Sequence, residues 1–137
     1  MHTKSVLGLA EVSDMLAAAR AEAEKHGWAV SIAVVDDGGH PLGLLRLDSA
    51  SPGSVYIAME KARTSALGRR ESKAYEDMIN GGRVAFLSAP FAATLEGGVP
   101  IVLNGQCVGA VGVSGVKSDQ DAQIAKAGIA HLAPTAT

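Results

Sequence analysis

LEGGVPIVLNGQCVGAVGVSGVKSDQDAQIAKAG, residues 95–128, decides the fold. Asn104-Gly105 stands between two apolar runs, VPIVL (99–103) and QCVGAVGV (106–113). Such a pair supplies the two successive positive φ values that a two-residue hairpin turn requires. The stretch therefore predicts two antiparallel strands and then a helix, with Ser118 and Asp121 as a capping box and Ala122, Ala125, Ile129 and Leu132 as its buried stripe to about His131. Gly97, Gly98, Gly109, Gly112 and Gly115 also thread this stretch, although glycine in an apolar run costs roughly 0.5–1 kcal/mol relative to alanine. Two explanations offset that cost: close packing of a helix on the sheet, or a backbone-lined pocket for a ligand.

Upstream, Leu9, Val12, Leu16, Ala19 and Ala23 recur at helical steps and predict a helix over 9–25, ending near His26 and a left-handed Gly27. AVSIAVVD (29–36) is apolar on both faces, as in a strand covered on each side. Asp37, Gly38 and Gly39 supply a turn, and Pro41 precedes a returning strand, LGLLRL (42–47). A second helix follows over 54–68, with Val55, Ala58, Met59, Ala62 and Ala66 on one stripe and Gly68 closing it. Residues 71–80 continue helically, and GGRVAFLSA (81–89) reads as a short strand. Antiparallel hairpins dominate this order, so the fold class is α+β: an antiparallel sheet with helices packed against it, in one domain over 1–137.

Composition narrows the function. The chain has 12 Lys plus Arg against 14 Asp plus Glu and no basic block, which gives no electrostatic support for binding nucleic acid or an anionic membrane. The single cysteine, Cys107, lies in a strand-like run and reads as a small core residue, outside any disulfide or zinc framework. Glu11 and Asp14 interrupt the N-terminal apolar run, so neither a signal peptide nor a membrane span is expected, and a cytoplasmic location follows. With only 4% aromatic residues the core must be built from alanine, valine, leucine and isoleucine, and a homo-oligomer packed through small-residue helix faces is expected.

Three blocks carry a family resemblance: VVDDGGHPLGLLRLDSA (34–50), IAMEKARTSA (57–66) and GGVPIVLNGQCVGAVGVSGVKSDQDAQIAKAGI (97–129). In this order they resemble the GlcG/HbpS-like proteins, and are also similar to the C-terminal domain of PduO-type adenosyltransferases. The resemblance implies a profilin-like fold, assembly into homo-oligomers, and haem as a ligand in some members. This chain departs from the pattern at Ser49, where members often carry glycine after the Arg-x-Asp aspartate, and at Glu96, in place of a third glycine.

Arg46 and Asp48 lie two apart on a strand, hence on one face, where they either form a surface ion pair of at most about 1 kcal/mol or jointly hold a polar ligand. Lys61 and Thr64 share a stripe of the second helix, Lys61 being either a solvated edge residue or a ligand contact. Convergence of Arg46, Lys61 and the amides near Gly97 and Gly98 would make an anion-receiving pocket, suited to a carboxylate or a haem propionate. His2, His26, His40 and His131 show no spacing that joins two metal ligands, so no preformed metal site is expected. Haem needs only one axial side chain, and His26 is the preferred candidate. The leading function is therefore a small-molecule, haem-type binding protein. An enzyme using Asp36, Asp48 or Lys61 as acid or base on a small carboxylate or ring substrate is the alternative, and an oligomeric accessory subunit a third reading.

Overall fold

The computed structural model describes residues 1–132. Helix α1 (Leu9–Lys25) leads into strands β1 (Ser31–Asp36) and β2 (Pro41–Arg46), then helices α2 (Pro52–Gly68) and α3 (Lys73–Asn80). A 3₁₀ turn (Val84–Ser88) connects to β3 (Gly98–Leu103), β4 (Gln106–Ser114) and α4 (Ser118–Ala130). The strands form one antiparallel sheet in the order β2-β1-β4-β3. This is the α+β architecture expected from the hairpins.

Alternation along the central strands sends two different kinds of surface to the two faces. Ile32, Val34, Val111 and Val113 face α1 and α4, where Val12, Met15, Ala19, Ile124 and Ala125 complete a core of larger aliphatic groups. Ala33, Val35 and Ala110 face α2, which meets them with Ala58, Ala62 and Ala66. Strand β1 is thus buried on both faces, as its unbroken apolar run requires.

On the alanine side the helix backbone rests directly on the strands. A Cβ at Gly112 would strike the Ala58 carbonyl and lie 2.5 Å from the Ala62 nitrogen, and one at Gly98 would strike the Lys61 carbonyl. Close helix-on-sheet packing is therefore what these glycines permit. The small-residue stripe of α2 is used within the chain, and Gly128 of α4 likewise lies against Met15 and Ala19 of α1. Any oligomer must be built on other surfaces than these.

The Asn104-Gly105 turn forms as the sequence predicts, with φ of 51° and 76°, between paired Leu103 and Gln106. Three local expectations are corrected. Residues 81–89 make a 3₁₀ turn instead of a strand, since Phe86 stacks on Tyr75 of α3 at 5.0 Å rather than joining the sheet. Helix α2 ends on left-handed Arg69 (φ 57°), while Gly68 lies inside the helix and leaves room for the Tyr75 ring. The Ser118–Asp121 capping box does not form: Lys117 occupies the cap position, its N–H donates to Gln120 Oε1 at 3.3 Å, and Asp121 turns inward. No helix among the described residues is long and apolar enough to cross a membrane.

Candidate functional site

The candidate residues fall into two groups on opposite edges of the sheet. Arg46 ends β2, one edge strand, and Asp48 follows it; Gly97 precedes and Gly98 opens β3, the other edge, with Lys61 of α2 against them. The three sequence blocks therefore do not meet in one pocket within the chain.

The second group is a filled interior. Lys61 is 3% exposed and its Nζ donates to the Val113 carbonyl and to Asp121 Oδ2, each at 3.0 Å. Gly97, at φ 133°, makes room for it, because a Cβ there would lie 2.8 Å from Nζ. Asp121 is 2% exposed and also accepts the Val116 N–H on Oδ1 at 3.2 Å. Burial holds its carboxyl above the ordinary value, against the opposing pull of Lys61 and the Val116 and Gly115 amides. Thr64 is buried one turn along α2, with Oγ1 unpartnered among the described residues. With two of its three donors engaged on protein oxygens and almost no solvent access, this lysine serves the fold.

Asp36 is likewise committed to structure. Its Oδ1 accepts the Gly38 and His40 amides at 2.9 Å and faces His40 Nδ1 at 3.0 Å, locking the β1–β2 turn. Burial pushes its carboxyl up, but the His40 and Gly38 hydrogen bonds outweigh that and hold it below the ordinary value. Neither Asp36 nor Lys61 is placed as a free acid or base.

The first group lines a solvent-open cleft. Between the C-terminal turns of α1 and the end of β2 lies a cavity of about 480 Å³, walled by Arg20, Glu24, Trp28, Leu45, Arg46, Leu47, Asp48 and Ser49. Arg46 donates from Nε to the Ala50 carbonyl at 3.1 Å, which fixes its direction, and it forms no ion pair with Asp48. Arg20 is held to Glu24 at 2.6 Å. Ser49 adopts φ 72°, a left-handed backbone at the rim where glycine is the natural occupant. Trp28 stacks on His26 with ring centroids 4.3 Å apart, and His26 Nε2 lies 3.1 Å from Glu22 Oε2, which also accepts from Gln123. The Gln123 hydrogen bond, with His26 and Lys25 assisting against burial, keeps the Glu22 carboxyl below its ordinary value.

His26, Arg46 and Asp48 thus belong to one neighbourhood, joined by Trp28. Trp28 and Asp121 are the two residues sequence reasoning missed. The first could have been flagged as the chain's one tryptophan, set between a helix end and a strand; the second was hidden by its resemblance to a capping residue.

The open cleft is lined by an indole and two leucines together with two guanidinium groups and two carboxylates, and the His26 imidazole stacks on the indole. These residue types fit a haem, whose macrocycle takes apolar cover, whose propionates take cations and whose iron takes one imidazole.

The family model described as haem degrading protein HbpS-like matches residues 7–130. Protein GlcG of Escherichia coli K12 is 57% identical over 114 residues, 83% of this chain and 85% of that protein. A crystal structure of a Streptomyces reticuli HbpS double mutant superposes with a TM-score of 0.88 at 34% identity, covering 97% of this chain and 91% of that one. A crystal structure of a PduOC–haem complex shares the fold, with a TM-score of 0.85 at 23% identity over 93% of this chain and 96% of that one.

Proposed function

The chain belongs to the HbpS-like family, and on that premise we propose that it binds haem in the cleft beside Trp28. The observation that carries the reading is a cavity lined by Trp28 and the directed Arg46, with His26 stacked on that tryptophan. Trp28, Leu45 and Leu47 would give the ring apolar cover, and burying that area would contribute to the affinity. The Arg46 guanidinium has donors left beyond its bond to Ala50, and they would bind a propionate. His26, whose Nε2 lies 3.1 Å from Glu22 Oε2 beside the cleft, would be the side chain to hold the iron. The bound haem would supply the redox chemistry of its iron, which this chain tunes only through that imidazole and the polarity of the cleft.

Titration of the purified protein with haem, followed in the Soret region, tests the proposal. A shifted band that saturates at one haem per chain is expected, with quenching of Trp28 fluorescence over the same range. His26→Ala should alter the band position, and Arg46→Ala the affinity. A spectrum equal to that of free haem throughout the titration would refute the reading.

A further inference from the structure

Both of the chain's asparagines, Asn80 and Asn104, stand directly before a glycine, and each follows a large aliphatic residue, Ile79 or Leu103. The backbone nitrogen after an asparagine can attack the side-chain carbonyl, and glycine obstructs that approach least because it has no Cβ. Local sequence therefore makes the two sites equals. The fold separates them. Asn80 is the last residue of α3, and the Gly81 N–H donates to the Asp77 carbonyl at 2.9 Å, so the nitrogen that would attack is held in the helical ladder. Asn104 and Gly105 are the two residues of the β3–β4 turn, both exposed, with φ of 51° and 76°. Leu103 and Gln106 pair across the turn, and the Gly105 N–H has no acceptor among the described residues. Beyond its chain neighbours, no atom lies within 4 Å of the place a Gly105 Cβ would take, so the tip has room to deform.

We propose that Asn104 is a site of spontaneous, backbone-assisted deamidation and that Asn80 is protected from it in the folded chain. The inference is independent of haem binding. The Gly105 nitrogen attacks Asn104 Cγ; a new N–C bond forms as the bond from Cγ to the side-chain nitrogen breaks, the Gly105 proton leaves with that nitrogen, and ammonia departs from a cyclic imide. Water then opens the imide at either carbonyl, with nothing oxidised or reduced. Opening at Cγ leaves aspartate, a residue suited to the same turn. Opening at the main-chain carbonyl leaves isoaspartate, which routes the chain through the side chain, adds a carbon to the loop and frees an α-carboxylate. A two-residue turn fixes the register of its strands, so this second product lengthens the link that sets Leu103 against Gln106.

Peptide mapping tests the selectivity, because trypsin places the two asparagines on separate peptides, residues 74–83 and 84–117. After incubation of the folded chain in mildly alkaline buffer, the 84–117 peptide should gain about 1 Da, assigned to residue 104 by fragmentation, at least about tenfold faster than the 74–83 peptide gains it at Asn80. Two products should separate by chromatography, one coeluting with the same peptide from an Asn104→Asp variant and the other, isoaspartyl, apart from it. In guanidinium chloride the two peptides should convert at nearly equal rates, since the helical hydrogen bond at Gly81 is then gone. Asn80 converting as fast as Asn104 in the folded chain, Asn104 staying intact there while the unfolded chain converts, an aspartyl product alone, or a preference for Asn104 that survives unfolding would each overturn the proposal.

Discussion

Lys61 on α2 and Asp121 on α4 meet at 3.0 Å, both almost wholly buried, and so tie together the two helical layers that enclose the sheet. The lysine reaches its partner beside the Val113 carbonyl through the space left by Gly97. Two charges removed from water repay their desolvation only while both are present.

Lys61→Met should therefore destabilise the protein by about 3–5 kcal/mol at neutral pH, measured by urea unfolding. The Lys61→Met, Asp121→Leu double variant should recover most of that loss, because no charge is then buried. Asp121→Asn should also be destabilising, because it leaves the buried Lys61 ammonium with the Val113 carbonyl and no counter-charge. The pH dependence has a definite sign. A carboxyl whose folded pKa is raised contributes stability that is present below its unfolded pKa and lost as pH rises through the folded one. The deficit of Lys61→Met should accordingly narrow as pH falls from neutrality toward the ordinary carboxylate range, and a deficit that widened would exclude this account.

Gly112→Ala tests the packing of α2 on the sheet. The added methyl collides with the Ala58 carbonyl and the Ala62 nitrogen, both helix backbone that cannot swing aside. A loss of about 1–3 kcal/mol or more is expected by chemical denaturation. Gly53→Ala, where a Cβ meets nothing within 4 Å, should leave stability nearly unchanged.

The positive-φ positions give opposite effects. Gly105→Val puts a β-branched residue at φ 76° in the hairpin turn and should cost about 1–3 kcal/mol. Ser49 already carries such strain at φ 72°, so Ser49→Gly should raise the melting temperature, the relief of about 1–2 kcal/mol exceeding the added unfolded-state entropy. An unaltered melting point in both variants would show that neither turn depends on its left-handed residue.

Arg46→Ala should weaken haem binding about tenfold or more, the contribution of a charge-assisted hydrogen bond of about 1.5–3 kcal/mol. Lys61→Met, compared under conditions where it remains folded, should bind like the parent, because Lys61 is sealed against Asp121. Fluorescence titration of Trp28 separates the two, and equal losses would contradict the division of the candidates into two groups.

How much of this was legible in the sequence is clear from individual residues. The 9–25 helix, the two-faced strand ending at Asp36 and the Asn104-Gly105 hairpin follow from local periodicity and turn chemistry, and they appear as predicted. The family resemblance, carried by three blocks in order, was legible too. Long-range placement was not. Whether Gly98 and Gly112 line a pocket or admit a helix depends on where α2 lies, and the same spacing serves both. Asp121 looks like a capping residue because its neighbours in sequence suit that role, while its partner stands 60 residues away. Arg46, Lys61 and Gly97 each carry the chemistry of an anion site, but strand order sends Arg46 and Gly97 to opposite edges of the sheet. Local sequence determined the elements and their polar groups; the stacking of α2 on one face and of α1 with α4 on the other decided which groups are buried in pairs and which line an open cleft.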